Sequence, residues 1–457
     1  MALTDEILGS PRMFGIETEF FLIDNEGKIV SKADEILGLL KKKMRKSSLT
    51  KEVGNAMFEH ITFPHTSAKA SFSNLFNDYE SILYELESKE IGIFNFGTYP
   101  GKNTGTARQD KRYQAKANIL GKRQFEAATK CIGFHFHASL PRKSFNNQIK
   151  FFFIDIQHDT QQKVLDLFNF DIAADPAITT LMQSSPYYES KLLGKDARLM
   201  VYRGDTHYGV TSLYENHPQF GTLNEYAHSF DEMVGRIKKR THAWKELLAK
   251  EDATLEEFAK KDSFPSVLDS SWKPVKISPH GTIESRGCDM NSFSRILGLS
   301  SALKYLSMHI QKSSVAVKQC EEGNNNPFLE EDGELFVPTF DKIKALEKSS
   351  AEKGFGDDDV YEYAKSFIKY ARSIMPSDER GMLDVFQKSI DERKTMSDEI
   401  ISYVKKKQGD TSIIDDETSQ EFSVRTYERM YKDLLNTKKH CYYPERHILP
   451  KVELIWD

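Results

Sequence analysis

The stretch Met13-Phe14-Gly15-Ile16-Glu17-Thr18-Glu19-Phe20-Phe21-Leu22-Ile23-Asp24 decides how the rest of the chain is read. It is aromatic and β-branched, and it stops at the turn signal Asn25-Glu26-Gly27-Lys28, which predicts a strand. Side chains at i and i+2 share one face of a strand, so Glu17 and Glu19 point the same way. A Glu-x-Glu pair in a strand ordinarily marks a solvent face. Here Phe14, Ile16, Phe20 and Phe21 surround the pair, which sets two acids in apolar company.

Two other short strand signals repeat the spacing. Residues 133–140 alternate His135 and His137 with Phe134 and Phe136, and residues 281–286 carry Glu284 and Arg286 beside Ile283. A fourth element, residues 57–62, holds Glu59 among apolar neighbours. On one sheet face, these carboxylates would repel one another unless cations sit between them. Oxygen-rich donors of this kind suit Mg²⁺ or Mn²⁺ rather than zinc. Such ions serve phosphate chemistry, and an arginine beside them balances phosphate charge. The residues therefore point to a sheet-lined nucleotide site that holds metal.

Composition narrows the alternatives. The chain has 457 residues, 63 Lys+Arg against 68 Asp+Glu, and a net charge of −5, which lacks the basic excess of an ordinary nucleic-acid binder. With 39% hydrophobic and 11% aromatic residues it is no disordered acidic chain. Cys131, Cys288, Cys320 and Cys441 are scattered without a C-x-x-C, so neither a zinc ribbon nor a redox motif is indicated. The first ten residues do not read as a signal peptide. No apolar run approaches the roughly 18 residues of a membrane span. A cytoplasmic protein with no membrane or nucleic-acid partner is the expectation.

Helices are predicted over residues 31–46, 67–89, 110–130, 226–250 and 292–312, and through much of 147–185. Phe72, Leu75, Phe76, Tyr79, Leu83 and Leu86 form one apolar stripe in the second of these. A strand is predicted over 91–98. The Asn-rich run at 321–327 is read as a boundary, giving a catalytic domain over 1–325 and a helical C-terminal region over 326–457 packed on it. Val360, Tyr363, Ala364, Phe367, Ile368 and Ala371 carry its helical spacing, and residues 448–457 are read as a short strand or tail.

Seven blocks in order then resemble one family. They are Gly15-Ile16-Glu17-Thr18-Glu19, Met57-Phe58-Glu59, Gly97-Thr98-Tyr99-Pro100, Arg112-Tyr113, Gly133-Phe134-His135-Phe136-His137, Gln183-Ser184-Ser185-Pro186-Tyr187 and the run from Ser278 to Asp289. Together they resemble the type 2 glutamate–cysteine ligases, or carboxylate–amine ligases, of the glutamine synthetase-like superfamily. The resemblance implies an α+β fold: a curved, mainly antiparallel sheet forming an active-site funnel, backed by helices. It implies two or three Mg²⁺ or Mn²⁺ ions and ATP. Glu17, His135 and Glu284 match ligands of the metal shared with the nucleotide phosphates, and Glu19 and Glu59 match ligands nearer the acceptor carboxylate. Arg286 matches the arginine facing the transferred phosphoryl group, and His137 falls near the phosphates. Arg203, with Arg198 as second choice, is the candidate for the substrate carboxylate or acyl phosphate. The implied reaction phosphorylates a carboxylate, such as the γ-carboxylate of glutamate, and joins it to an amine such as cysteine, releasing ADP and phosphate. The loop 101–106 is a candidate lid, and a homo-oligomer is expected because relatives often form them.

Three positions depart from the family's pattern: Asn55 where many members have an acid, Tyr99 in place of a histidine, and Lys111 in place of an acid. They leave the acceptor amine and the metal count open. Two other functions share the scaffold: a phosphotransferase releasing a stable phosphorylated product, and a non-catalytic nucleotide binder.

Overall fold

Strand β1 (Phe14–Asp24) runs through the middle of a seven-stranded sheet. A computed structural model describes residues 13–43, 48–204, 208–254, 266–270, 272–320 and 327–442. The sheet's other strands are β2 (Ser48–Lys51), β3 (Met57–Ile61), β4 (Ile91–Phe94), β5 (Phe134–Ser139), β6 (Val275–Ser278) and β7 (Thr282–Ser285). Their order is β6-β7-β5-β1-β3-β2, with β4 paired to the far end of β1, and every pairing is antiparallel.

The two faces of β1 have different fates. Phe14, Ile16, Thr18, Phe20 and Leu22 are buried on one face. There Phe20 meets Phe58 at a ring distance of 4.1 Å and Tyr79 at 5.6 Å, and Tyr79 meets Phe293 at 4.7 Å. Tyr79 and Phe293 lie on two helices, α2 (Ala68–Glu87) and α7 (Phe293–Ser313), which back the sheet. The Tyr79 hydroxyl donates to Thr18 Oγ1 at 2.8 Å, so the one polar group on this face is satisfied. Each such buried aromatic contributes about 1.5–3 kcal/mol of transfer free energy, which fixes the register and turns Glu17 and Glu19 to the opposite face.

The remaining labelled helices are α1 (Ala33–Lys43), α3 (Lys111–Leu120), α4 (His158–Met182), α5 (Ala197–Tyr202), α6 (Phe230–Lys250), α8 (Phe340–Lys353), α9 (Asp358–Ile374), α10 (Met396–Gln408) and α11 (Asp416–Tyr442). The helix predicted over 110–130 breaks at Gly121, whose φ of 101° closes α3. The predicted strand 91–98 ends at Phe94. Residues 145–152 form a small hairpin that the helical reading of 147–185 did not anticipate.

Helices α8 to α11 pack on the sheet body. The stripe Val360, Tyr363, Ala364, Phe367, Ile368 and Ala371 of α9 is buried, and Tyr363 donates to the Ala173 carbonyl of α4 at 2.5 Å. Phe422 of α11 meets Phe94 edge-on at a ring distance of 6.3 Å, and Asp433 accepts from the Ser294 N–H at 3.1 Å in the first turn of α7. The boundary expected at 321–327 falls almost wholly outside the described residues, as does the expected strand or tail at 448–457. No helix among the described residues is long and apolar enough to cross a membrane.

Candidate active site

Strand register brings the predicted groups together. Glu17 stands opposite His135, Glu19 opposite Glu59, His137 opposite Glu284, and Glu284 opposite Lys276. Since i and i+2 share a face, β3, β1, β5, β7 and β6 present Glu59, Glu19, Glu17, His135, His137, Glu284 and Lys276 side by side. The face opens on a cavity of about 260 Å³. Lys276 and His280 lie toward one end, from β6 and the turn after it, and Arg112, Tyr113 and Lys116 of α3 line another part.

The distances are those of one coupled cluster. His135 Nδ1 lies 2.8 Å from Glu17 Oε2, and its Nε2 lies 3.5 Å from Glu19 Oε1. His137 Nε2 lies 3.2 Å from Glu17 Oε1, while its Nδ1 meets Thr282 Oγ1 at 2.9 Å. Glu284 lies 3.4 Å from Lys276 and 3.3 Å from Arg286. Glu19 accepts the Gly133 N–H at 2.6 Å, and Glu59 accepts from Thr50 Oγ1 at 2.9 Å.

Electrostatics separates the acids into two kinds. Burial opposes ionisation of Glu284, yet Lys276, Arg286 and His137 hold its carboxyl down at about 2. Burial likewise opposes ionisation of Glu17, and His137 and His135 overcome it, keeping that carboxyl well below the usual range. Glu19 goes the other way: burial and the neighbouring Glu52 push it up to about 8. Burial and Arg286 lower His135 to about 4, so it is neutral and able to offer a lone pair.

These residues fit a divalent cation. Three overlapping triplets converge within ligand range: Glu17–Glu59–His135, Glu17–His137–Glu284 and Glu19–Glu52–Glu59. His135 Nε2 is buried and makes no hydrogen bond, the state of a donor atom that awaits a ligand. A carboxylate raised to about 8 by burial and by Glu52 is relieved by a positive ion. Both histidines stand within reach of Glu17 and Glu284: His137 groups with them, and His135 Nδ1, which groups with Glu17 and Glu59, lies 3.9 Å from Glu284 Oε1. Glu52 joins the cluster, although its position just past β2, beyond any alternating pattern, gave no signal in the sequence.

The arginines divide differently from expectation. Arg286 lines the cavity and pairs with Glu284. Arg203 does not line it. It is fully buried, with NH1 2.6 Å from both Asp175 and Glu347 and NH2 3.0 Å from Asp175. Both of its terminal nitrogens are committed to an ion triad joining α4 to α8, so the structure does not bring it to a substrate carboxylate. Arg198 borders the cavity, but its terminal nitrogens donate to backbone carbonyls of residues 286–288.

Other polar groups near the site serve the scaffold. His60 Nε2 meets Asp78 at 2.9 Å and His65 Nε2 meets Asn74 at 2.7 Å. Within the Gln183–Tyr187 block, Gln183 donates to the Ser350 carbonyl and the Ser184 N–H donates to Asp289 at 2.8 Å. Asp289 thus ties that block to the end of the β7 segment, while Asp433 caps α7. Cys131 and Cys288 are buried free thiols whose pKa burial pushes up, which disfavours the thiolate. The loop 101–106 does not line the cavity, and it is held by Asn103 N–H to Glu189 at 3.1 Å and Asn55 N–H to the Thr106 carbonyl at 2.9 Å.

The model of glutamate–cysteine ligase family 2 matches residues 13–326. No curated protein matches the chain in sequence. Among solved structures, the glutamate–cysteine ligase of Francisella tularensis in complex with AMP is 14% identical with a TM-score of 0.54, covering 96% of each chain. A bifunctional glutathione synthetase from Pasteurella multocida is 14% identical with a TM-score of 0.53; the match covers 92% of this chain and 53% of that one, so the chain spans about half its length. The fold is that of the glutamine synthetase-like ligases, an antiparallel sheet with helices behind it.

Proposed function

The chain belongs to glutamate–cysteine ligase family 2, and from that premise we propose that it is an ATP-dependent carboxylate–amine ligase acting on glutamate or a similar acid. The observation that carries the proposal is the register that sets Glu17, Glu19, Glu59, His135, His137 and Glu284 on one buried face, with Lys276 and Arg286 beside Glu284. Acids and cations alternate there over a few ångströms, which suits a phosphoryl group carried between two bound molecules.

In the first half-reaction a carboxylate oxygen of the acid bonds to the γ-phosphorus of ATP, the bond to the β,γ-bridging oxygen breaks, and ADP leaves. The acyl phosphate is then attacked by the amine at its acyl carbon. Phosphate departs with the carbon–oxygen electron pair, and the amine loses a proton. Mg²⁺ or Mn²⁺ bound by Glu17, Glu19, Glu52, Glu59, His137, His135 and Glu284 would supply charge neutralisation for the phosphoryl oxygens. The chain's own part is positional. Arg286 and Lys276 are fixed by Glu284 and offer positive charge to the equatorial oxygens. His137 is oriented by Thr282, and burial of the face limits water at the acyl phosphate.

Glutamate is the proposed acid and cysteine the first amine to be tried. Phosphate release is measured with MgATP and glutamate, with and without cysteine or hydroxylamine. The ligase reading expects release that requires acid and amine together and is lost in Glu284→Gln and Glu19→Gln. ADP with a stable phosphorylated product and no free phosphate would establish a phosphotransferase instead.

A further inference from the structure

Arg198 holds the piece of backbone on which Arg286 stands. Its NH1 donates to the carbonyls of Gly287 and Cys288 at 3.1 and 3.0 Å, and its NH2 to that of Arg286 at 3.4 Å. This segment is where the chain leaves β7: the Arg286 N–H donates to the Pro274 carbonyl at 2.8 Å, and on the other side the Cys288 carbonyl also accepts the Phe134 N–H at 3.3 Å. Gly287 lies within it, and glycine has the freest backbone of any residue. A Cβ there would lie 2.4 Å from Asp175 Oδ1 and 2.5 Å from Arg203 NH2, so the segment is enclosed by one arginine at its carbonyls and another against its α-carbon. The Arg198 guanidinium occupies the space that a side chain at position 133 would take: a Cβ on Gly133 would sit 2.2 Å from its NH2.

The same arginine shares an aromatic ring with Arg286. The Arg198 guanidinium lies 5.8 Å from the Trp272 ring centre and 5.4 Å from that of Tyr202; Arg286 lies 5.6 Å from Trp272. Tyr202 and Trp272 are themselves 4.8 Å apart. An arginine on an aromatic face is held in direction as well as in place. Arg198 is 2% exposed and Trp272 is 8% exposed; both lie in the cavity wall beside Arg286, packed against it rather than projecting into the space.

We propose that Arg198 and Trp272 are positioning residues that aim the Arg286 guanidinium at the transferred phosphoryl group. Arg198 fixes the backbone carrying Arg286, and Trp272 fixes the direction of its side chain. The inference rests on the reading of Arg286 given above. A misplacement of about 1 Å in a group that stabilises charge in the transition state costs about 10²-fold in rate.

The test is a double-mutant cycle on the full chain, with MgATP, glutamate and hydroxylamine as probes and the hydroxamate as readout. Arg198→Met and Trp272→Leu are each made alone and in an Arg286→Ala background. Each alone is expected to lower kcat by about 10²-fold with little change in the KM for MgATP, and to have no further effect once Arg286 is gone. Trp272→Leu leaves the three carbonyl hydrogen bonds in place, so it carries the test if Arg198→Met fails to fold. Losses that multiply with that of Arg286→Ala, or a raised KM with kcat kept, would overturn the inference. Full turnover by Arg286→Ala alone would refute the assignment of Arg286 and the inference with it. Loss there, with full rates in both other variants, would refute the inference alone.

Discussion

Replacing Glu347 by alanine takes one carboxylate from a buried triad. Arg203 is fully buried, and its NH1 lies 2.6 Å from both Glu347 and Asp175. Lys344 reaches the other Glu347 oxygen at 2.5 Å. Burial opposes ionisation of Glu347, but Arg203 and Lys344 keep its carboxyl below the usual range. Burial raises Asp175 in spite of the same arginine, so Glu347 is the firmer anion of the pair. Breaking a buried ion pair by removing one partner costs about 3–5 kcal/mol. Asp175 still grips Arg203 through two hydrogen bonds in the variant, so the lower end, about 3 kcal/mol, is expected. An unfolding entropy of about 2.1 cal/mol/K per residue gives roughly 1 kcal/mol/K for 457 residues. The melting temperature of Glu347→Ala should therefore fall by about 3 °C, with a matching fall in the urea midpoint at unchanged slope. The KM for glutamate should not move. An unchanged midpoint together with a raised KM for glutamate would refute the reasoning, because it would mean that Arg203 turns toward substrate and has no structural partner in Glu347.

Three shorter predictions accompany it. Saturating Mg²⁺ or Mn²⁺ should raise the wild-type melting temperature, by about 2.7 kcal/mol of linkage at a hundredfold excess over Kd, and Glu59→Gln should lose most of that rise; equal rises in both would place the metal elsewhere. Asp171 accepts from Ser285 at 2.7 Å, and burial raises its carboxyl from 3.8 to about 7. Its folded pKa thus lies above its unfolded value, so the stability it contributes is complete below 3.8 and is lost as pH rises to about 7. Asp171→Asn should therefore gain stability over the wild type across that window in urea titrations, and a difference independent of pH would refute the shift. Gly97→Ala would set a Cβ 2.2 Å from Asp289 Oδ1, which the Ser184 N–H anchors through the other oxygen. A loss of about 1–3 kcal/mol is expected by thermal unfolding, and a neutral substitution would show that Asp289 is free to move.

Much of the site was legible because strands write it in period two. Glu17 and Glu19, His135 and His137, and Glu284 and Arg286 alternate with apolar residues that could only face a core, so the polar face was fixed before any partner was known. Their convergence is a matter of register, which no single strand contains: that Glu19 meets Glu59 and His137 meets Glu284 depends on β3 and β7 arriving from 40 and 147 residues away. Glu52 stayed hidden because it follows the end of β2, outside any alternation. Arg203 misled for the opposite reason. A lone arginine in an irregular stretch reads as a ligand for an anion, and it is one, but the anions are Asp175 and Glu347 of the protein itself. The apolar stripes of α2 and α9 named the buried faces, whereas the break at Gly121 depends on a left-handed backbone that a helical pattern does not disclose. Burial of acids, finally, says nothing of their state. Glu19 near 8 and Glu284 near 2 differ because one faces Glu52 and the other faces Lys276 and Arg286.

The claim that a carboxylate is activated as an acyl phosphate is tested most directly by isotope transfer. Glutamate labelled with ¹⁸O in its γ-carboxylate is incubated with the enzyme, MgATP and hydroxylamine, and the released phosphate is analysed by mass. Activation through the γ-carboxylate predicts one ¹⁸O in each phosphate released, since the oxygen that attacked phosphorus leaves with it. Phosphate carrying no label, formed at the same rate with and without glutamate, would contradict the account.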